Sequence, residues 1–356
     1  MTLPRITTAF TRLLDIEVPV ICAPMAKVTS PTLVAEATIG GGYGFLAAGY
    51  QSTETIKAEI ASTKSLLTAA KFKQGAHKLP IGIAYFGWEL DKYGDQEAHK
   101  KLDIALDSDV ESIWLSFGSR FDKWVKYIRD KEEEKPIAQK TKLFILVNNL
   151  GEARAAYQLG ADVIVAQGNE AGGHGSGSAP PAISLVTSIL QALPENRPPI
   201  VAAGGFSTGA QIAAMLTLGA SAVAFGTRFL LTPDSRYSTA QKAALVAAHG
   251  NATKRSIAWD QARNTVDWPD GIDGRGLYTK LVKDFESGVD ISHLQQKVKD
   301  NLVGGDIEYQ VTWSGAGVGE MSEVKGTKDI LNDFRFEIVD RLRASQTLVK
   351  DARPHL

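Results

Sequence analysis

A histidine within a run of glycines is the first group in this chain that could carry out chemistry. His174 lies in the sequence AGGHGSG, which begins at Ala171 and follows an apolar run that ends at Gln167. A core histidine normally occupies one position on an apolar helix face, and this setting is different. An imidazole with an ordinary pKa can act as general base or acid, or can bind a substrate anion. We therefore predict that His174 is a catalytic residue.

Two further glycine turns each follow an apolar run of β-prone residues. The first turn is Gly204-Gly205, and the second is Gly226-Thr227, which follows Phe225 directly. Glycine lets backbone N–H groups approach an anion closely because it has no Cβ. A helix that begins near Ser207 would add the positive end of its dipole. These turns, with Phe225 beside the second, predict a site for the phosphate of a cofactor, and the alternative is that they only form tight turns.

Two other strand ends carry groups that suit a flat heterocycle. Ala23-Pro24-Met25 follows the first apolar run, where the proline and the flexible thioether could pack under an aromatic ring system. Gln167 offers both a donor and an acceptor to the edge of such a ring. No His-x-His, His-Glu-x-x-His or Cys-x-x-Cys spacing is present, so we predict no metal site. The other histidines lie in polar or terminal contexts: His77, His99, His249, His293 and His355.

Eight short apolar runs alternate with helix-like segments and would position these groups. Such alternation predicts parallel strands, and eight repeats in about 215 residues favour a closed (β/α)₈ TIM barrel. The active site of such a barrel lies at the carboxyl ends of the strands, and phosphate binds after strands seven and eight. The predicted strands are Val18–Ala23, Gly44–Ala47, Ile81–Tyr85, Ser112–Ser116, Leu143–Val147, Val163–Gln167, Ile200–Ala203 and Ala222–Gly226. The predicted helices include Pro31–Ile39, Thr53–Thr68, Asn149–Leu159 and Ser207–Leu218.

The alternation stops at Thr232, which divides the chain into two predicted parts. Residues 1–232 would form the cofactor-binding barrel, and residues 233–356 would supply the last barrel helix and a helical extension that covers the barrel mouth. Helices are predicted near Ile291–Leu302 and Ile330–Leu342, with the glycine-rich segment Trp313–Gly319 between them.

The composition narrows the choice of partners and compartment. The formal net charge of -1 gives no electrostatic reason to expect nucleic acid or a membrane as partner, and no apolar run is long enough to span a bilayer. One cysteine, Cys22, excludes an intrachain disulfide and fits a reducing compartment. The N-terminus lacks the apolar core of a secretory signal. We therefore expect a cytoplasmic protein with a small-molecule substrate, and a homodimer is compatible with the sequence although no motif demands one.

Taken together, these motifs resemble the nitronate monooxygenase family, formerly called 2-nitropropane dioxygenases. The resemblance rests on ICAPMA, IVAQGNEAGGHGSG, IVAAGGFSTGAQIAAMLTLGASAVAFGTRFL and the late WSGAGVG. It implies a (β/α)₈ barrel with non-covalent FMN that uses O₂ to oxidise alkyl nitronates to a carbonyl compound and nitrite. If nitroalkanes are also substrates, His174 would remove their α-proton.

The resemblance also implies a role for each matching residue. His174 corresponds to the active-site histidine of the family. The expected flavin contacts are Ala23, Pro24 and Met25 along the ring, Gln167 at the ring or ribityl chain, Gly172 and Gly173 beside the cofactor, and Gly204, Gly205, Gly226 and Thr227 at the phosphate. Bacterial members typically carry an asparagine after Pro-x-Gly-Val on strand three. This chain has Pro80-Ile81-Gly82-Ile83-Ala84 instead, so Ala84 would lie at the flavin without the amide contact.

Two other functions are compatible with the same motifs. One keeps the barrel and FMN but takes electrons from NAD(P)H, as quinone reductases and flavin-dependent enoyl reductases do. The other is a non-redox barrel, an isomerase or lyase that acts on a sugar phosphate and holds no flavin. A spectrum of the purified protein and its response to NADH would distinguish these functions from nitronate oxidation.

Overall fold

The computed structural model describes residues 4–72, 78–302 and 304–348. Two of the histidines considered above, His77 and His355, lie outside the described residues. None of the described helices combines the length and hydrophobicity that a membrane crossing would need.

The strands of the described residues form one closed barrel and one small sheet. In chain order they are β1 (Val20–Cys22), β2 (Tyr43–Ala47), β3 (Leu79–Phe86), β4 (Val110–Ser116), β5 (Lys142–Val147), β6 (Val163–Gln167), β7 (Gly173–Ser176), β8 (Ile200–Ala203), β9 (Ala222–Phe225), β10 (Thr253–Ser256) and β11 (Ile272–Leu277). The barrel order is β1-β2-β3-β4-β5-β6-β8-β9, and the parallel pairing of β9 with β1 closes it. The predicted (β/α)₈ barrel is thus confirmed.

Helices surround the barrel and also form most of an extension at its mouth. In chain order they are α1 (Ala9–Leu13), α2 (Pro31–Ile39), α3 (Thr53–Ala69), α4 (Gly87–Lys92), α5 (Asp95–Asp107), α6 (Phe121–Lys131), α7 (Leu150–Gln158), α8 (Ala182–Ala192), α9 (Gly209–Leu218), α10 (Thr227–Leu230), α11 (Thr239–Val246), α12 (Ala258–Arg263), α13 (Lys280–Glu286), α14 (Ile291–Asp300) and α15 (Thr327–Gln346). Helix α15 packs against both α9 and α2 and completes the outer ring.

Local sequence signals determine where several barrel helices begin. Helix α2 begins at Pro31, and the Ser30 hydroxyl accepts a hydrogen bond from the Leu33 N–H at 3.0 Å. Helix α9 begins after Thr208, which exchanges hydrogen bonds with Gln211 in a capping box. Such caps satisfy N–H groups that the first helical turn leaves without an acceptor.

The extension between β9 and α15 contains strands as well as helices. Strands β10 and β11 form a three-stranded antiparallel sheet with β7, in the order β10-β11-β7. Strand β7 is the segment around His174, which the sequence analysis treated as a loop. Its glycine-rich sequence has a low intrinsic strand preference. The pairing with β11, almost 100 residues further along, decides its conformation.

Aromatic side chains fill the lower part of the barrel. Tyr43, Phe45 and Phe144 lie inside and are fully buried, and the Tyr43 hydroxyl shares a hydrogen bond of 2.8 Å with Ser112. Phe10 of α1 packs edge-on against Phe144 at 6.0 Å between ring centroids and belongs to the same cluster. Helix α1 therefore plugs the amino-terminal end of the barrel, opposite the carboxyl strand ends.

Substitution Phe10→Ala should destabilise the barrel because it leaves a cavity beneath the aromatic layer. Phe10 is 0% exposed, and loss of a buried phenylalanine ring costs about 3–5 kcal/mol of unfolding free energy. Phe336→Ala is the matched control, since that ring on α15 is 51% exposed and its loss should change stability by less than about 0.5 kcal/mol. Urea unfolding of the purified protein measures both. Equal losses for the two variants would contradict the plug.

Candidate active site

A cavity of about 360 Å³ opens at the carboxyl ends of the barrel strands, where the sequence analysis expected it. The predicted site residues that line it are Ala23, Pro24, Met25, Ala84, Gln167, Gly172, Gly173, His174, Gly204, Gly205, Gly226 and Thr227. Phe225 is the exception. Its ring packs outside the barrel against Phe334 of α15, at 4.7 Å between centroids, and its carbonyl accepts the Ala23 N–H at 3.0 Å.

Small side chains form the floor of this cavity. Ala47 and Ala203 are the last residues of β2 and β8, Ala84 and Ala224 lie one or two residues before the ends of β3 and β9, and each lines the cavity. The indole of Trp114 lines it as well and packs edge-on against the buried Phe45 ring below. Methyl groups over an aromatic layer leave a broad apolar surface, which fits a planar ring system.

The two glycine turns after β8 and β9 present hydrogen-bond donors to the cavity. The backbone N–H groups of Gly205, Gly226 and Thr227 have no acceptor among the described residues. A Cβ on Gly226 would have only the Met25 Sδ within 4 Å, at 3.7 Å, so this position opens into free space. Donors without a partner beside free space fit the phosphate that the sequence predicts here.

We call these three N–H donors the cradle. The prediction that the N-terminus of helix α9 adds to this anion site was wrong. The Gly209 and Ala210 N–H groups donate to the Glu337 carboxylate of α15 at 2.7 and 3.2 Å. The Ser207 N–H donates to the Gln211 side chain at 2.6 Å. Because these acceptors are already in place, no donor of the first turn remains for a phosphate.

The glycine-rich segment Trp313–Gly319 of the extension packs directly against the cradle. The Gly315 N–H donates to the Thr227 hydroxyl at 2.9 Å, and the Ala316 N–H donates to the Glu170 carbonyl at 2.9 Å. A Cβ at Gly317 would lie 2.1 Å from the Gly205 carbonyl oxygen. Only glycine permits this approach, which explains why the segment reads WSGAGVG.

His174 forms a buried pair with a carboxylate that the sequence analysis did not identify. Its Nε2 lies 2.9 and 3.0 Å from the two carboxylate oxygens of Asp260 on α12. Asp260 also accepts hydrogen bonds from Arg263 at 3.0 Å and from the Thr265 hydroxyl at 2.8 Å. The indole of Trp268 lies parallel to the imidazole, with 3.7 Å between ring centroids.

The surroundings fix the protonation of this pair. Burial lowers the pKa of His174 below its ordinary value of 6.5, although Asp260 acts in the opposite direction. Burial alone would raise the pKa of Asp260, but hydrogen bonds from His174 and Thr265 and the charge of Arg263 hold it below its ordinary value. At neutral pH the imidazole is therefore neutral beside an ionised carboxylate. Since Asp260 accepts the Nε2 proton, Nδ1 carries the lone pair.

Gln167 is held by its neighbours rather than free to rotate. Its side-chain oxygen accepts a hydrogen bond from Asn148 at 3.0 Å, and its side-chain nitrogen donates to the His174 carbonyl at 3.3 Å. It therefore fixes the backbone of β7 as well as lining the cavity.

The residues that the sequence analysis missed come from the extension. Asp260, Arg263 and Trp268 lie 86–94 positions beyond His174, in the extension that the pairing of β7 with β11 joins to His174. No local spacing links them to the histidine, so the sequence contained no signal for their roles. Among the described residues no group of three or more His, Cys, Asp or Glu side chains is arranged to hold a metal ion.

The fold and the site together describe a class of protein: a (β/α)₈ barrel with unpaired backbone donors, a flat apolar floor and a histidine–carboxylate pair at one cavity among the described residues. A family model described as nitronate monooxygenase matches residues 7–336. The nitronate monooxygenase npaC of Metarhizium robertsii is 31% identical over 350 residues, which cover 93% of this chain and 92% of that protein. A nitronate monooxygenase of Neurospora crassa is 28% identical, with 92% and 90% covered.

Solved structures agree with this assignment. A nitroalkane oxidase of Streptomyces ansochromogenes superposes with a TM-score of 0.75 at 25% identity, covering 95% of this chain and 100% of that one. FabK of Thermotoga maritima superposes with a TM-score of 0.76 at 24% identity, which shows the shared fold. The chain belongs to the nitronate monooxygenase family. It is a flavoprotein oxidoreductase that oxidises nitronates or nitroalkanes.

Substitution Asp260→Asn should lower the pKa of His174 further, because the carboxylate charge that favours the imidazolium is lost. In the wild type His174 should titrate below 6.5. Imidazole NMR signals followed against pH, and assigned with a His174→Gln variant, measure both values. Asp130→Asn is the control, since Asp130 pairs with Lys126 on the exposed surface of α6. A wild-type value above 6.5, or no change in Asp260→Asn, would contradict the pair.

Proposed function

We propose that this chain binds FMN non-covalently and uses O₂ to oxidise alkyl nitronates to a carbonyl compound and nitrite. One observation carries the proposal: N–H donors without an acceptor in the described part of the chain and a neutral, paired imidazole line the same flat-floored cavity. Membership of the nitronate monooxygenase family supports the same substrate class.

The cradle favours a cofactor with one terminal phosphate. The donors of Gly205, Gly226 and Thr227 would hold that phosphate, and the segment Trp313–Gly319 packs against the Gly205 and Thr227 turns. A cofactor that continued beyond its phosphate into a second nucleotide would meet this backbone. FMN ends at the phosphate, which fits the enclosure.

When bound, the flavin supplies the electron transfer from substrate to O₂. The chain supplies position and proton control. The floor at Ala84, Ala203 and Ala224 would support the flavin ring. At Ala84 a methyl group would lie where bacterial members of the family carry an asparagine side chain. Gln167 would contact the cofactor in the orientation that Asn148 gives it.

His174 would act through Nδ1, the ring nitrogen that does not face Asp260. Asp260 holds the imidazole in one tautomer and orientation, so that Nδ1 could accept the α-proton of a nitroalkane. A nitronate has already lost this proton and needs only to be held beside the cofactor. Arg263, which lines the cavity and pairs with Asp260, contributes positive charge near the anion.

Substitution His174→Ala should leave flavin bound and lower turnover of a nitroalkane by roughly 10²–10⁴-fold, the usual contribution of a positioned base. Turnover of the preformed nitronate should fall less, because no α-proton has to be removed. O₂ uptake and nitrite release measure both, and His293→Ala on the exposed face of α14 is the control.

Since protonation inactivates the base, wild-type nitroalkane oxidation should decline only below pH 6.5. Unchanged kinetics in a flavin-replete His174→Ala variant would remove His174 from the mechanism.

Substitution Gly226→Val should reduce the amount of bound flavin without unfolding the protein. A Cβ at this position meets no backbone within 4 Å, and Gly226 has a φ of -99°, which other residues adopt readily. The added methyl groups would occupy the proposed phosphate position. The ratio of visible flavin absorbance to ultraviolet protein absorbance measures occupancy, and chromatography of the released flavin identifies FMN.

Gly250→Val is the matched control, since a Cβ there has nothing within 4 Å and the residue lies outside the cavity. Full flavin occupancy in Gly226→Val would place the phosphate elsewhere.

A further inference from the structure

Bulky aromatic side chains are concentrated on one side of the cavity mouth. Tyr50, Phe86 and Phe117 follow or end strands β2, β3 and β4, and Trp268 reaches them from the loop after α12. The Trp268 ring lies 5.0 Å from Phe86 and 5.5 Å from Phe117, edge to face in both cases. We call these four residues the aromatic wall.

The wall contrasts with the opposite side of the cavity. There most lining residues at the ends of β8 and β9 and in the loop after β6 are alanines and glycines, with Phe206 and Thr227 as the larger side chains. Small residues are needed where a cofactor ring and its phosphate lie close to the backbone. The substrate must therefore occupy the space between the cofactor site and the aromatic wall.

Trp268 occupies the decisive position in this wall. Its ring covers one face of the His174 imidazole, at 3.7 Å between centroids and 12° between ring planes. A substrate cannot share that face, and because the Nδ1 lone pair lies in the plane of the ring, a substrate that gives its proton to Nδ1 approaches along the ring edge. Any substituent that points away from the cofactor then meets the indole.

The aromatic wall is held by the backbone conformation of Phe117 on one side and by side-chain contacts of the Trp268 loop on the other. Phe117 has a φ of +54°, an unfavourable conformation for a bulky residue, and its ring nevertheless lines the cavity. The Trp268 loop is tied down at Thr265, whose hydroxyl donates to Asp260 at 2.8 Å, and at Asp267, which pairs with Lys92 at 2.8 Å. The ring is therefore a fixed boundary.

We propose that Trp268 is the specificity-determining residue that limits the size of the substrate. This inference rests on the proposed function, because the substrate is taken to be a nitronate held beside the cofactor and His174. Short alkyl nitronates fit between the cofactor and the indole. Nitronates with a long alkyl chain or a phenyl ring are excluded by the indole.

Substitution Trp268→Ala should shift selectivity toward large substrates. For each large substrate, the nitronate of 1-nitrohexane or of phenylnitromethane, kcat/KM is divided by kcat/KM for the nitronate of nitroethane. This ratio should rise by about 10-fold or more, because a single methylene in a tight pocket already changes kcat/KM by at least about 10-fold. Trp268→Phe, which keeps a ring at this position, should show a smaller shift. An unchanged ratio in Trp268→Ala would overturn the proposal.

Trp88→Ala is the matched control. Trp88 packs on the back of the same aromatics, 5.5 Å from Trp268 and 6.2 Å from Phe86 between centroids, but does not line the cavity. Its loss should leave the selectivity ratio unchanged, although it removes an indole of the same size. An equal shift in both variants would show general loosening of the mouth and would contradict the assignment to Trp268.

A binding measurement separates this inference from the proposed function. Neutral 1-nitrohexane is titrated into flavin-containing protein, and Kd is read from the change in the visible flavin spectrum. Tighter binding to Trp268→Ala than to wild type supports the inference. If, in addition, no nitronate is oxidised, the proposed function is rejected but the size limit set by Trp268 is not. Nitronate oxidation by wild type, with Kd and selectivity unchanged in both Trp268 variants, would reject the inference alone. If Trp268→Ala does not fold, Trp268→Phe carries both readouts.

Discussion

The antiparallel pairing of β7 with β11 is the contact on which the rest of the site depends. It places Gly274 opposite His174, and a Cβ on Gly274 would lie 2.4 Å from the Trp313 ring. The Arg255 guanidinium strengthens the pairing by donating to the Gly175 carbonyl at 2.6 Å. This small sheet joins the loop after β6 to the extension, and it is the reason that Asp260 and Trp268 meet His174.

The barrel and the extension have separate tasks in this arrangement. The barrel supplies a rigid floor and backbone donors at the ends of β8 and β9, which are suited to an anion without any basic side chain. The extension supplies the ionisable and aromatic groups around His174. The segment Trp313–Gly319 connects the two through contacts that glycine alone allows, so the geometry of the cradle and that of the histidine are coupled.

The parts of the molecule that the sequence could predict are those set by neighbours along the chain. Strand runs, barrel helices and the two glycine turns depend on residues within a few positions, and the structure has them within a few residues of the predicted places. The glycine neighbours of His174 make a core position implausible and thereby identify it as a candidate active-site residue. Its position at the cavity follows from the barrel, whose strand ends all meet at one face.

The parts that could not be predicted depend on long-range partners. Asp260 reaches His174 across 86 positions, through a sheet whose strand β7 has little intrinsic strand preference. Helix α9 was expected to point its N-terminus at a phosphate, and Glu337 from α15 occupies those donors instead. Phe225 follows the strand alternation outward, so its ring belongs to the packing under α15 rather than to the cavity.

The central claim is that a flavin in this cavity takes electrons directly from a nitronate. The most direct measurement is anaerobic mixing of the purified, flavin-containing protein with ethylnitronate, with NADH in a parallel reaction, while the visible flavin absorbance is followed. Our account predicts rapid bleaching by the nitronate and little or none by NADH. Bleaching by NADH alone, or a purified protein without flavin absorbance, would contradict it.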